Sequence, residues 1–520
     1  MSPALGPLVP NLEKLVPIDD PANSQGSAYD SGWYGYVDKD LRSLLGRPVK
    51  GSTRAASAAP ARSPLARPRS GQRWRPQAPS SRRLRRRPDE VARGRAPGAN
   101  PLQRRSAPAP DALDKPPDLP AGHELRLAPP ALASTLAQVA EKRYLMTPGP
   151  TPAPPEVLAA IAQPVIHHRG PDYKKLYAEC LGRLREVFRT EQEVLLFGGS
   201  GTGGMESAVA NLCSPGEPVL VVSAGYFGER WAAIARAYGA EVHHLRYAWG
   251  EIPSTEETAA RLSEREASAV FLTHSETSTG VVLDLQPFAA VAREAGALSV
   301  VDAISSLGAV PLETDAWGID VVVSGAQKAL MTPPGLTMIS ASPAAWEKTA
   351  SAVSPRFYWD WEITRKGQAT LDAPVTPPVS LVAGLNVALG MLLEEGLEAA
   401  YERHVRLGRA CREGLKAMGL ELSSPDDDSS AVVTAARAPE GIDSDELVLL
   451  LRDRHGVTLA PGQGELKGKI FRIGHIGYYD VFDITTALAA VELALVELGA
   501  EIERGVAVTR ALEAFEHTAV

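Results

Sequence analysis

Cysteine is scarce. Cys180, Cys213 and Cys411 are the three in 520 residues, too few for a disulfide framework and without the CxxC spacing of a structural metal site. A reducing, cytoplasmic compartment is the expectation. Long apolar runs are lacking as well: VLLF at 194–197 and AVFL at 269–272 fall far short of the ~20 residues of a helical membrane span. The opening MSPALGPLVPNLEKLVPIDD has neither the basic stretch nor the unbroken apolar core of a secretory signal, so none is expected. The histidine pairs His167-His168 and His243-His244 have no third ligand at metal spacing, and no metal site is expected.

Lysine is absent from one stretch altogether. Residues 51–110 hold 15 Arg, 10 Pro and only the acids Asp89 and Glu90, a local charge of +13 within a chain of net −8. The other 460 residues therefore carry −21. So little apolar surface cannot repay the entropy of folding, and residues 1–125 are expected to be a disordered Arg/Pro-rich N-terminal extension. Its cations would suit a polyanion, but the acidic remainder argues against nucleic acid as the main ligand. Within it, residues 27–51 weakly resemble an internal piece of penicillin-amidase-type hydrolases that includes no nucleophile, so no activity carries over.

From about residue 144 the composition becomes that of a globular enzyme. Short β-type runs (VLLF, PVLVVS, AVFLTH, LSVVDA, DVVVSG, LTMISAS) alternate with helix-like stretches. Such alternation implies βαβ units around a largely parallel sheet, with ligands collecting at the carboxyl ends of the strands. Beyond Thr376 long helical stretches and short strands replace it, the pattern of a smaller α+β domain. The spans expected are a large domain at 144–395 and a small C-terminal domain at 396–504.

Three motifs carry chemistry. GGSGTGG (198–204) follows a strand and opens a helix, where backbone N–H groups and the helix dipole favour an anion, best a single phosphate. Gly199, Gly201 and Gly204 fit a loose GxGxxG, yet the next strand, PVLVVSAG, offers only Ser223 where a ribose-binding acid belongs. SVVDAISSLG (299–308) places Asp302 at a strand end, and DVVVSGAQKAL (320–330) leads straight into Gln327-Lys328. A phosphate loop, an aspartate, and a lysine 26 residues further on match the needs of pyridoxal phosphate: anchor, pyridinium partner and Schiff-base former.

The segment from Tyr144 to Leu498 resembles the class V, fold-type I aminotransferases, specifically the alanine–glyoxylate and serine–pyruvate group. LMTPGPT, FGGSGTGGMES, SAGYFGER, FLTHSETSTG, VVDAISSLG, VVSGAQKAL and KGKIFRIGHIG carry the likeness. The resemblance implies pyridoxal 5'-phosphate bound by Ser200, Gly201, Thr202 and Gln327 at its phosphate. Asp302 would sit at its ring nitrogen and Thr277 near its phenolic oxygen, with Phe227 stacked on the ring where many relatives have tryptophan. Lys328 would be the catalytic Schiff-base lysine. Gly149 would admit the substrate, and Arg472 would hold its α-carboxylate with a planar fork. Thr376 would reach the cofactor of a partner subunit, implying a homodimer, though Ala373 stands where some relatives have tyrosine.

The activity so implied is transfer of an amino group from a small amino acid, alanine or serine, to glyoxylate or pyruvate. Alternatives are an aminoethylphosphonate transaminase or carbon–sulfur lyase on the same fold, or a polyanion-binding protein driven by the Arg-rich segment. Whether Arg169, Arg356 or Arg365 recognises a second acid stays open.

Overall fold

Strands that are apolar at every position need helices on both sides, and this chain supplies them. Seven strands, all but the edge strand Glu241–Arg246 largely buried, form the central sheet of a computed structural model that describes residues 142–425 and 430–517. The expected extension lies outside the described residues. The strands are β1 (Val194–Gly199), β2 (Pro218–Ser223), β3 (Glu241–Arg246), β4 (Ala269–Thr273), β5 (Leu298–Asp302), β6 (Val321–Gly325) and β7 (Gly335–Ala341). Their order is β1-β7-β6-β5-β4-β2-β3. Every pairing from β6 to β3 is parallel. β7 runs antiparallel to both neighbours, because the short, Pro-containing connection 326–334 has no room for a crossover helix.

The strands' alternation sorts their side chains between two cores. Leu220, Val222, Val270, Leu272, Val301 and Val322 face one layer, packing with Tyr173 and Leu184 of α1 (Pro171–Phe188). Val219, Val221, Phe271, Val300, Val321 and Val323 face the other, with Met205 and Val209 of α2 (Gly201–Leu212) and Trp231 of α3 (Tyr226–Ala237). Leu385 and Leu389 of α4 (Val379–Glu395) complete the first layer. The result is the helix–sheet–helix sandwich of fold-type I.

A second, antiparallel sheet follows in the C-terminal part, ordered β8 (Val433–Arg437), β10 (Ile470–Gly474), β9 (Ala460–Pro461). Its core joins Phe471 and Ile473 to Leu407 and Leu415 of α5 (Leu397–Ala417) and Leu488 and Val491 of α6 (Val481–Glu497). α7 (Val506–His517) lies beyond the expected boundary at 504 and adds Ala507 and Ala511 to the same core. Tyr144–Leu145 pairs in parallel with Val457–Thr458, and Met146 is buried in this second core. The chain is thus anchored there just before it delivers Gly149 to the central sheet. Among the described residues no single helix is long and apolar enough to cross a membrane.

Candidate active site

The carboxyl ends of the strands bring the three motifs to one end of the central sheet. β1 ends in Gly199, and Ser200 caps α2, its hydroxyl accepting from Gly203 N at 3.2 Å. That cap leaves the Gly201 and Thr202 amides of the first turn aimed outward, where the helix dipole favours an anion. Glycine at 201 is required by space: a Cβ there would lie 2.6 Å from Ile304 Cδ1. Gln327 is beside this region in sequence with Lys328, and its side-chain Oε1 is buried without a partner.

β5 ends at Asp302, only 4% exposed, whose Oδ1 accepts from Ile304 N at 2.9 Å. Among the described residues no cation lies within 4.0 Å of it. Burial pushes its carboxyl up to about 7, against the Ile304 N–H, while the Glu276 carboxylate adds to the rise. Lys328 follows β6, is 9% exposed, and donates from Nζ to Pro148 O at 2.6 Å. Burial first, then the Arg472 guanidinium, pulls its amine down to about 8, with Asp302 opposing. An amine lowered this far from its ordinary value gives up its proton more readily than a surface lysine and can act as nucleophile or base.

Arg472, on the central strand β10 between Ala435 of β8 and Ala460 of β9, is 5% exposed. Its Nη1 donates to Thr277 O at 2.7 Å, and Nε and Nη2 donate to Pro461 O at 3.1 and 2.8 Å. Burial lowers it to about 10. Carbonyls fix the fork without neutralising it, so a carboxylate can still pair with it. Gly149, at φ +144°, lies so close to Lys328 that a Cβ would overlap the lysine side chain. These residues form one cluster: Gly149, Thr277, Asp302, Lys328 and Arg472.

Two further residues of the cluster are absent from the sequence expectations. Glu276, 3% exposed, accepts from Phe227 N and Gly228 N, each at 3.0 Å, and from the Ser278 hydroxyl. It caps α3, whose own N-cap residue, Gly225, has no side chain to do so. Burial raises the Glu276 carboxyl, and the surrounding N–H donors oppose that. Arg230, one turn after Phe227, lays its guanidinium 4.9 Å from the centre of that ring and donates to Thr202 Oγ1 at 2.8 Å. The available signal was the i, i+3 spacing in YFGER, which puts Phe227 and Arg230 on one helix face.

Thr376 is not brought to this cluster. It is exposed, in a surface groove with Val165, His167, His168 and Leu381. The three arginines left open are engaged elsewhere. Arg169 faces Asp372 at 3.8 Å, Arg365 pairs with Glu193, and Arg356 donates to the carbonyls of Ala210, Thr349 and Ala352.

An unneutralised lysine, a carboxyl that needs a cation, and an anion loop built on glycines fit pyridoxal 5'-phosphate and define a fold-type I enzyme of that cofactor. Residues 143–466 match the family model described as aminotransferase class-V, and the chain belongs to that family. An alanine–glyoxylate aminotransferase from Nostoc sp. has a similar solved structure, with TM-score 0.67, 33% identity, and coverage of 68% of this chain and 96% of that one. The L-aspartate–glyoxylate aminotransferase of Paracoccus denitrificans is 36% identical, over 72% of this chain and 96% of its own. The soluble hydrogenase 42 kDa subunit of Anabaena cylindrica is 41% identical, over 72% of this chain and all of its own. The protein is a class V aminotransferase that uses pyridoxal 5'-phosphate.

Proposed function

We propose that this chain is a homodimeric transaminase that moves the amino group of a small, uncharged amino acid, alanine or serine, to glyoxylate or pyruvate. The observation that carries this reading is Arg472, a buried guanidinium beside Lys328 held only by carbonyls. It offers one bidentate seat for one α-carboxylate. Among the described residues the other cation near Lys328 besides Arg472 is Arg230, which is bonded to Thr202 at the start of α2, on the side expected to take the phosphate and not a second acid of the donor.

Bound pyridoxal 5'-phosphate supplies an electron sink for the charge that develops at the substrate's Cα. Lys328 holds or moves the proton at that carbon, which its lowered pKa permits near neutral pH. Asp302, ionised once a cation faces it, holds the ring nitrogen protonated. Phe227 covers the ring, positioned from behind by Glu276. Ser200, Gly201, Thr202 and Gln327 take the phosphate, and Gly149 leaves the substrate its space. Thr376 reaches the partner subunit's phosphate. The exposed apolar side chains around it, Val165, Ile166 and Val375, suit a subunit interface. Three buried free cysteines accord with a cytoplasmic enzyme.

Half-reactions followed by absorbance test the reading. L-alanine or L-serine should convert the protein's visible cofactor band to that of the amine form, and glyoxylate or pyruvate should restore it. L-aspartate should do so much more slowly. Rapid conversion by aspartate alone would transfer the assignment to a dicarboxylate donor. Arg472→Lys should keep the cofactor yet lower kcat/KM by roughly 10- to 200-fold, the value of a bidentate charge-assisted pair. An unchanged kcat/KM with every donor would place the carboxylate seat elsewhere.

A further inference from the structure

A phosphate monoester carries a charge of about −1.5 to −2 near neutral pH, and the loop expected to hold it is neutral. GGSGTGG offers backbone amides and two hydroxyls, and Gln327 adds an uncharged amide. The helix dipole contributes only about half a charge. Of the cluster's cations, Lys328 is bonded to Pro148 O and Arg472 is fixed to Thr277 O and Pro461 O on the second sheet's side. Counter-charge for the phosphate must come from another residue.

We propose that Arg230 is a further cofactor-binding residue, placing its guanidinium beside the phosphate of pyridoxal 5'-phosphate at the first turn of α2. Its Nη1 donates to Thr202 Oγ1 at 2.8 Å, and Thr202 is the second residue of that helix. Its remaining N–H donors meet no carboxylate within 4.0 Å among the described residues, so its charge is available to a ligand. The side chain is held in place by the rings of Phe227 and Tyr226, 4.9 and 5.1 Å from its central carbon. That stacking leaves the planar fork's edge for the anion, the geometry in which arginine pairs with phosphate. Its charge also reaches the cluster, opposing protonation of both Asp302 and Lys328. One residue thereby links the phosphate loop to the aromatic that covers the ring.

The inference rests on the cofactor assignment, and wild-type protein that takes up no pyridoxal 5'-phosphate would overturn that assignment instead. The experiment compares wild type, R230Q and R230K as apoproteins, each titrated with pyridoxal 5'-phosphate, with pyridoxal, and with inorganic phosphate as competitor. R230Q should bind the phosphorylated cofactor roughly 10- to 100-fold more weakly, the scale of a lost charge-assisted pair. Its affinity for pyridoxal, which lacks the phosphate, should stay within about twofold, and competition by inorganic phosphate should fade. R230K should recover part of the loss. Equal losses for pyridoxal and its phosphate would show that Arg230 only steadies Phe227, and no loss for either would remove it from the site. If R230Q does not fold, the ratio of the two losses in R230K decides the matter in the same way.

Discussion

Asp302 and Lys328 are displaced towards each other in pKa, to about 7 and about 8, each chiefly by burial. Both charged forms therefore oppose folding of the apoprotein, a strain that bound cofactor relieves. For Asp302 the sign is definite. A carboxyl whose folded pKa is raised favours the folded state while both states are protonated, and that contribution is lost as pH rises from about 4 through 7. Asp302→Asn has no such loss. The apoprotein of this variant should gain melting temperature relative to wild type as pH is raised from 5 to 8, while kcat collapses because the ring nitrogen loses its counter-charge. Melting curves of both apoproteins at the two pH values check it; a gap that does not widen would mean that Asp302 titrates at its ordinary value. Comparing the gap, and not either curve alone, cancels any constant cost of the amide.

Elements carry these residues to one place, and the packing of α2 shows how little slack there is. A Cβ on Gly204 would lie 2.7 Å from Val323 Cγ1 of β6 and would overlap Thr337 Oγ1 of β7, a hydroxyl already donating to Ser324 O. Gly204→Ala should therefore lift the helix start, destabilising the fold by about 1–3 kcal/mol and weakening cofactor uptake. Gly182, within α1, meets nothing within 4 Å, so Gly182→Ala should instead stabilise by about 0.4–1 kcal/mol. Denaturant melts of the two variants, with cofactor titration of the first, decide both. The same elements explain what the sequence disclosed. Runs such as PVLVVS and DVVVSG are apolar on both faces, so a covered parallel sheet was legible, and with it Asp302 and Lys328 at strand ends. The antiparallel turn of β7 depended on the length of one connection and was not. Glu276 and Arg230 were hidden because their partners, Phe227 N and Thr202 Oγ1, are 49 and 28 residues away in the chain. Periodicity records which face a residue occupies, but not which loop crosses it.

At the scale of the whole molecule, the question is how much of the chain the reaction needs. The hydrogenase-named relative is matched over its full length by 72% of this chain, and every residue of the cluster lies at or after Gly149. Residues 51–110, with their 15 Arg and 10 Pro, contribute none of them. A protein starting at Ala121 should therefore keep its cofactor, its assembly and its kcat, and lose only whatever affinity for polyanions the +13 stretch confers. The limit of such trimming is set by Tyr144–Leu145 and the segment after it. Starting at Pro150 would remove the pairing with Val457–Thr458, take Met146 out of the second core, and delete Pro148, whose carbonyl receives Lys328 Nζ. Removing a fully buried methionine alone costs about 2–5 kcal/mol when nothing refills its space, and the Lys328 amine would lose its only hydrogen bond among the described residues. That shorter protein should be unstable and inactive. Size-exclusion chromatography, cofactor absorbance and single-turnover rates on the two truncations test the boundary. Loss of turnover in the Ala121 protein would make the N-terminal region part of the enzyme, and full activity in the Pro150 protein would break the assigned link between the second core and Lys328.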